Sequence, residues 1–277
     1  MMRIQNKIIH RPDDSTLYED AASLGHLLVK SLSEAGDKIM LICGLTGQKL
    51  SAIDLLNNSI KYARAMTAAG IQPGDVVSIV SENSFEFAFI MFGSILLNCA
   101  LAPINNSYGM SEMEHAMKLS KPKIIFVSAA MSKQVVNVAK SLSFVQKIVL
   151  INDVPWSDES TMTLRDFLNP KALNVVKFAP RAVERSKTVC LIMCSSGTTG
   201  LPKGVQISQA NIVVTIRHVN SSENSILAKV NVGDGEVVVL GLLPLFHVFG
   251  AAVMICTMAS ASGCIVLLPK FEEKTFL

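Results

Sequence analysis

The sequence predicts an α/β fold of doubly wound parallel sheets with flanking helices, arranged in two packed lobes. Short apolar segments alternate with helical periodicities along most of the 277 residues. One unit runs from a helix start at Ser51 and Asp54, through the turn at 73–75, to the apolar strand Val76–Val80. Strands joined by whole helices need right-handed crossovers, and such crossovers make the neighbouring strands parallel.

The individual elements follow from apolar runs, helical spacing and turn residues. We predict strands at 76–80, 101–104, 123–127, 147–151, 188–194, 236–242 and 264–268. We predict helices at 51–70, 85–97, 111–121 and 132–141, and two more that begin near 209 and 250. Ser111 and Glu114 have the spacing of a capping box, which predicts the start of the third helix.

The stretch 152–185 differs from the rest of the chain. It holds three prolines and the single tryptophan, and its apolar residues show weak periodicity. We interpret it as a connecting excursion between two parts of the fold. The sequence therefore predicts a first lobe at 1–185 and the start of a second lobe at 186–277.

Composition excludes several classes of protein. Hydrophobic residues make up 50% of the chain and charged residues 17%, which excludes a disordered chain, a collagen-like fibre and a coiled coil. Lys and Arg number 25 against 22 Asp and Glu, so the formal charge is only +3. That excess is too small and too scattered to predict a nucleic-acid partner.

The mean hydropathy of +0.41 raises the question of a membrane span. Two uncharged windows, 87–111 and 237–269, are long enough, but prolines and asparagines or glycines interrupt them. We interpret both as strands and helices buried around a sheet, and we expect no membrane span. The six cysteines form no Cys-x-x-Cys pair and stand in apolar runs, so we expect buried thiols rather than a metal site.

The decapeptide Ser195–Gly204 predicts a site for a polyphosphate. It follows an apolar strand, and its three glycines let backbone N–H groups approach an anion closely. Its four hydroxyls add hydrogen-bond donors, and Lys203 adds a positive charge. The residue order is neither that of a Walker A loop nor that of a dinucleotide-binding loop, and a plain Ser/Gly/Thr hairpin is the alternative. The candidate phosphate-binding residues are Ser195, Ser196, Gly197, Thr198, Thr199, Gly200 and Lys203.

A second candidate site residue is His247. It follows Pro244 at the predicted end of a strand, and open α/β sheets bind their ligands at the carboxyl ends of strands. A histidine in an apolar run is otherwise a residue of the core or of a turn. The position at a strand end favours a functional role.

These segments resemble two signatures of the adenylate-forming (AMP-binding) superfamily. Ser195–Gly204 resembles its phosphate-loop signature, and Leu243–Gly250 resembles a strand end that carries a histidine. The segments 70–77, 81–84 and 101–105 are similar to the 4-coumarate–CoA ligase and luciferase-like acyl-CoA synthetase branch. The resemblance covers roughly 50–277, and it implies the N-terminal half of such a fold.

The resemblance also implies an activity. Members of this branch are acid–thiol ligases that use ATP with Mg²⁺ to adenylate a carboxylic acid and then transfer the acyl group to coenzyme A. It implies catalytic roles for Lys203 and His247, places His247 at the acid substrate, and places Phe249 in the wall of the acyl pocket. The expected partners are small molecules, and the expected location is the cytoplasm or the peroxisome.

The match departs from the family pattern in three respects. Gln209 stands where many relatives have histidine, and Met193 and Cys194 replace bulkier residues. The later motifs for adenine, ribose and Mg²⁺ do not occur in these 277 residues, so we expect the 277 residues alone to bind ATP weakly and to form no acyl-CoA. The alternatives are an inactive truncated paralogue that acts as a binding module and a luciferase-like monooxygenase.

Overall fold

The computed structural model describes residues 3–5, 8–10, 21–152, 160–169, 179–195, 202–220, 237–261 and 263–270. The strands in this part of the chain are β1 (Arg3–Gln5), β2 (Ile8–His10), β3 (Ile39–Cys43), β4 (Lys49–Ser51), β5 (Val76–Val80), β6 (Ala100–Pro103), β7 (Ile124–Val127), β8 (Lys147–Leu150), β9 (Thr161–Thr163), β10 (Val189–Ser195), β11 (Lys203–Ser208), β12 (Val238–Gly241) and β13 (Cys264–Leu267). The α-helices are α1 (Leu24–Ala35), α2 (Ala52–Ala68), α3 (Phe85–Leu96), α4 (Met110–Ser120), α5 (Ser132–Ala139), α6 (Leu164–Phe167), α7 (Gln209–Asn220) and α8 (Val248–Ser260).

The larger sheet has seven strands in the order β11-β10-β6-β5-β7-β8-β9. All its neighbours are parallel except β10 and β11, which form an antiparallel pair. Successive residues of its central strands face opposite sides: Ile79 and Phe126 belong to one apolar cluster, and Val80 and Val127 belong to the other. Helices cover both faces, so the predicted doubly wound α/β architecture is confirmed.

The smaller sheet has the order β12-β13-β3-β4, in which only the β3–β4 pair is antiparallel. Each of the two sheets takes strands from both sides of residue 185, since β10 and β11 extend the larger one and β3 and β4 extend the smaller one. The division into lobes at 1–185 and 186–277 therefore does not coincide with the division between sheets. Strands β1 and β2 form a separate antiparallel pair.

Local capping explains where two of the helices begin. At α2 the Ser51 hydroxyl accepts a hydrogen bond from the Asp54 N–H at 3.2 Å, as the spacing of these residues predicts. At α4 the expected start at Ser111 and Glu114 is wrong by two residues. Gly109 is the N-cap, and its N–H donates to Glu112 Oε2 at 2.9 Å. Glu114 instead pairs with Lys118 one turn along the helix.

Strand β11 is one of the elements that were not predicted from the sequence; the others are β1–β4, β9, α1 and α6. Val205 and Ile207 alternate with polar residues, and the segment pairs along the edge of β10 from Ser195↔Lys203 to Val189↔Ser208. A chain that leaves the end of β10 can return antiparallel only at a free edge of the sheet. The Ser195–Gly204 segment therefore connects two antiparallel strands instead of leading directly into a helix.

The two uncharged windows are folded around the sheets. The window 87–111 contains most of the fully buried helix α3 and the strand β6, and the window 237–269 contains β12, α8 and β13. No helix among the described residues combines the length and apolarity that crossing a membrane requires. Helix α8 packs against α1 and α7.

The connecting stretch 152–185 contributes structure of its own within its described parts. Strand β9 extends the larger sheet beside β8, and the Phe167 ring of α6 meets the Phe126 ring edge-on at a centroid distance of 5.2 Å. The Val183 N–H donates to the Ala22 carbonyl, which fixes the end of the stretch beside α1. Within its described parts, the predicted excursion therefore packs onto the larger sheet and beside the start of α1.

The six cysteines are free thiols. Cys99, Cys190, Cys256 and Cys264 are buried, while Cys43 and Cys194 are partly exposed. Burial raises the pKa of Cys99 and of Cys190 to about 12, so both thiols are neutral at physiological pH.

Candidate functional site

A cleft of about 440 Å³ lies where strand ends from the larger sheet meet the turn between β12 and α8. Strands β6 and β10 are parallel neighbours, so their carboxyl ends lie at the same edge of the sheet. This edge is where open α/β sheets bind ligands. The lining residues are Pro103, Asn105, Tyr108, Met193, Cys194, Ser195, Val205, Ile207, Phe246, His247 and Val248.

The structure describes two of the seven predicted phosphate-binding residues. Ser195 ends β10 and lines the cleft, and Lys203 begins β11 and is exposed. Ser195 and Lys203 are Cα partners in the last antiparallel pair, so the strand register fixes the two ends of the connecting loop opposite each other. The other predicted residues lie outside the described part of the chain: Ser196, Gly197, Thr198, Thr199 and Gly200.

The loop returns to the sheet beside helix α4. Pro202 directly precedes Lys203, and its carbonyl oxygen lies 2.9 Å from Nε2 of His115. A carbonyl oxygen can only accept, so Nε2 carries a proton and donates it. The sequence analysis missed His115, because a backbone carbonyl 87 positions away leaves no pattern in the sequence.

His247 caps helix α8. Its Nδ1 accepts a hydrogen bond from the Phe249 N–H at 3.3 Å, and its own N–H donates to the Pro244 carbonyl at 3.0 Å. Because Nδ1 is the acceptor, the neutral imidazole carries its proton on Nε2. His247 lines the cleft together with Ser195, and an Nε2–H group can donate a hydrogen bond to a carboxylate or phosphate oxygen.

The turn that carries His247 is tightly packed. A Cβ atom on Gly250 would lie 2.9 Å from the carbonyl carbon of Pro244 and 3.0 Å from the carbonyl oxygen of Leu243. Real Cβ atoms essentially never come that close to backbone atoms, so glycine is required at this position. The close approach lets α8 begin directly under the turn and fixes the backbone of His247.

Asn83 joins this turn to the larger sheet. Its side chain is only 5% exposed, follows β5, and donates from Nδ2 to the carbonyl oxygens of Leu243 and Leu268, each at 3.1 Å. Its Oδ1 accepts from the Leu245 N–H at 2.8 Å. One buried amide thus satisfies three backbone groups of the smaller sheet and its turn. The sequence analysis marked 81–84 only for its resemblance and did not assign this role to Asn83.

Phe249 lies at a different cavity from the one that Ser195 and His247 line. Its ring is 59% exposed and borders an apolar cavity of about 90 Å³ between α8 and the smaller sheet. The other lining residues are Val239, Leu240, Gly241, Leu243, Leu245, Gly250, Val253, Met254, Ile265 and Leu267. The structure therefore brings Ser195 and His247 together and leaves Phe249 at a neighbouring apolar surface.

The cleft walls carry uncharged polar groups. Burial raises the pKa of the Tyr108 phenol, and the nearby Cys194 and Glu112 add to this effect. Burial also raises the pKa of the Cys194 thiol. Both groups are therefore neutral near pH 7, so they add no negative charge that would repel a phosphate.

Gln209 and Met193, which depart from the family pattern, are parts of the core. Gln209 is fully buried, its Oε1 accepts from the Leu24 N–H at 2.8 Å, and its Nε2 donates to Asn98 Oδ1 at 2.8 Å. It thereby ties the starts of α7 and α1 to the end of α3. Met193 is 4% exposed and packs beneath the cleft.

Comparison with known proteins matches residues 28–277 to the family described as AMP-binding enzyme. The luciferin 4-monooxygenase of Photinus pyralis is 31% identical over 226 residues, which are 79% of this chain and 39% of that protein. The probable 4-coumarate–CoA ligase 2 of Dictyostelium discoideum is 27% identical over 264 residues, which are 91% of this chain and 46% of that protein. A natural red-emitting luciferase from Phrixothrix hirtus has a similar structure, with a TM-score of 0.81 and 27% identity.

The chain covers a limited share of these relatives. It spans less than half the length of the two curated proteins and 49% of the Phrixothrix luciferase chain, while 96% of its own length is covered by that structure. The family match extends over most of the chain and includes both segments whose resemblance the sequence analysis noted. That resemblance is confirmed, and the chain belongs to the family of AMP-binding enzymes.

Proposed function

We propose that this chain carries the phosphate-binding and acid-binding part of an ATP-dependent carboxylic acid–CoA ligase. The observation that supports this most is the cleft at the carboxyl ends of β6 and β10, which Ser195 and His247 line together. Lys203 stands opposite Ser195 at the other end of the phosphate loop. The cleft thus combines the Ser195 hydroxyl, which lies opposite Lys203 in the strand pair, with the imidazole of His247.

The proposed reaction has two steps. A carboxylate oxygen of the acid attacks the α-phosphorus of ATP, the bond to the bridging oxygen breaks, and pyrophosphate leaves. The thiolate sulfur of coenzyme A then attacks the acyl carbon, and AMP leaves. The proton of the thiol passes to solvent. Catalysis of the first step is mainly the positioning of the reactants and the stabilisation of charge on phosphate oxygens.

Each part of the cleft has a separate role in this proposal. The loop 195–203 donates hydrogen bonds to the β- and γ-phosphates, and the Lys203 ammonium neutralises charge on the leaving pyrophosphate. The Nε2–H of His247 donates to the carboxylate and orients it. Among the described residues, no three His, Cys, Asp or Glu side chains are grouped so that they could hold a metal ion. In this proposal Mg²⁺ binds as part of the Mg-ATP substrate.

The acid substrate has an apolar or aromatic tail in this proposal. Most residues that line the cavity beside Phe249 have aliphatic side chains. Phe249 and Gly250, which also line it, follow His247 closely in the sequence. An acid whose carboxylate lies at His247 could direct a fatty or phenylpropanoid tail toward this surface. Burial of the tail then contributes binding energy in proportion to the apolar area covered.

Acid-dependent exchange of pyrophosphate into ATP tests the proposal. The complete gene product, of which this chain is all or part, is assayed with a panel of fatty and cinnamic acids. We expect exchange with at least one acid, and a loss of about 100-fold in Lys203→Ala because a charge on the transition state is removed. Lys187→Ala is the control, because Lys187 is exposed and pairs with Glu184 away from the cleft. Near-normal exchange in Lys203→Ala contradicts the proposal.

A luciferase-like monooxygenase is a second candidate, favoured by the 31% identity to the Photinus pyralis protein. Such an enzyme would use the same cleft to adenylate its acid and would then react with oxygen. Light emission on addition of luciferin, Mg-ATP and oxygen identifies this activity. Binding of Mg-ATP without exchange or light identifies the remaining alternative, a binding module without catalysis.

A further inference from the structure

His115 is a side chain of helix α4 that reaches the described end of the phosphate loop. Its Nε2 donates to the Pro202 carbonyl at 2.9 Å, and its ring is half-buried. Pro202 has no N–H, so its carbonyl is the only backbone group through which hydrogen bonding can hold this residue. The next residue along the chain is Lys203.

The loop needs to be held at this point for a geometric reason. Residues 196–202 connect Ser195 to Lys203, which is longer than the two to five residues that usually join antiparallel strands. In a longer connection the strand register alone leaves the residues next to the last pair less restricted. The direction in which the Lys203 side chain leaves the backbone depends on the peptide that it shares with Pro202.

Helix α4 is packed against the core, so it can hold such a contact in a fixed position. Its opposite face buries Met113 and Met117 in the apolar cluster beneath the larger sheet. One turn beyond His115, Leu119 lies against Gly204, where an added Cβ would be 3.8 Å from the Leu119 Cβ. His115 and Leu119 therefore contact the chain on either side of Lys203, with i and i+4 spacing on one helix face.

We propose that His115 is a positioning residue that fixes the end of the phosphate loop through Pro202, so that the Lys203 ammonium meets the phosphates of ATP. This inference rests on the proposed function, because it assigns His115 to the ATP side of the cleft. It predicts that loss of the His115 side chain weakens the binding of ATP by displacing Lys203 and leaves the binding of the acid nearly unchanged.

The test compares four variants of the complete gene product: His115→Ala, His115→Gln, Lys203→Ala and the double variant His115→Ala/Lys203→Ala. The readouts are the KM values for Mg-ATP and for the acid, kcat, and the affinity for Mg-ATP by calorimetry. We expect His115→Ala to weaken Mg-ATP binding and raise its KM about fivefold, the usual consequence of losing one hydrogen bond. The KM for the acid changes less than twofold. Glutamine can donate from a similar position, so His115→Gln restores most of the loss.

The double variant separates positioning from a merely structural role. If His115 acts through Lys203, its removal adds less than twofold to the loss that Lys203→Ala already causes. Lys118→Ala is the matched control on the same helix, where Lys118 pairs with Glu114 at the surface, and we expect no change.

Each contrary result contradicts either the role of His115 or the proposed function. Fully additive losses in the double variant, equal effects on ATP and acid, or no rescue by glutamine contradict the role of His115. If Lys203→Ala alone lowers affinity and exchange while His115→Ala does not, the proposed function stands and this inference fails. If Lys203→Ala has no effect on Mg-ATP, the proposed function fails together with the inference.

Discussion

The two strand-end segments at the cleft are held in contrasting ways. The hairpin end at Ser195 and Lys203 joins β10 to the edge strand β11, whose residues from 203 to 206 are exposed, and a half-buried histidine supports it from a neighbouring helix. The turn before His247 is held from inside, by the buried Asn83 amide and by the close packing of Gly250. We therefore expect changes in the turn to affect both the geometry of the site and the stability of the fold, whereas changes at the hairpin end affect mainly the site.

The largest expected difference concerns Asn83. In Asn83→Ala the carbonyl oxygens of Leu243 and Leu268 and the Leu245 N–H lose their partner, and we expect the free energy of unfolding to fall by about 3 kcal/mol. Urea denaturation measures this. The control is Asn58→Ala, because the Asn58 amide donates to the Asp54 carbonyl at the surface of α2, and we expect a loss below about 1 kcal/mol. Equal losses in the two variants contradict the role given to Asn83.

The next difference compares one glycine from each segment. Gly250→Ala places a methyl group against the backbone of Pro244, and we expect a loss of about 2 kcal/mol in the free energy of unfolding. Gly204→Ala on β11 meets only Ile192 and Leu119 side-chain atoms at 3.5 and 3.8 Å, so its stability stays within about 0.5 kcal/mol of the parent. Denaturation of both variants in parallel is the measurement. A larger loss of unfolding free energy in Gly204→Ala than in Gly250→Ala would contradict this prediction.

A smaller effect concerns one cysteine from each segment. Cys194 lines the cleft beside Ser195, while Cys256 is buried in α8 and burial raises its pKa to about 11. Alkylation requires the thiolate, whose fraction rises about tenfold per pH unit below the pKa. At pH 8 we expect Cys194 to react faster than Cys256, and millimolar Mg-ATP to slow only Cys194. Mass spectrometry of the labelled peptides decides this, and equal rates would count against an accessible cleft.

The sequence was sufficient for the local elements. The Ser51–Asp54 cap and the strand Val76–Val80 occur where the residue spacing predicts them. The cap and the strand both depend on residues that are close in sequence, so the spacing of residue types is enough to predict them. The start of α4 was misplaced because both Glu112 and Glu114 can end a capping pattern, and only the folded backbone selects Glu112.

The parts that could not be predicted depend on contacts between distant positions. Strand β3 pairs with β13 from Ile265↔Leu41 to Leu267↔Cys43, so the smaller sheet joins two segments that are far apart in the sequence. The roles of Asn83 and His115 come from bonds to backbone carbonyls 160 and 87 positions away. Every residue has a carbonyl, so the sequence carries no signal for such a partner.

In the proposed function, one site binds the ATP phosphates at Lys203 and the acid at His247. The most direct test is acid-dependent pyrophosphate exchange, measured in Lys203→Ala and His247→Ala while Mg-ATP and the acid are varied separately. We expect Lys203→Ala to raise mainly the KM for Mg-ATP. We expect His247→Ala to raise the KM for the acid and to lower turnover about tenfold or more, with little change in the KM for Mg-ATP. Equal losses toward both substrates in His247→Ala, or unchanged kinetics in Lys203→Ala, would contradict it.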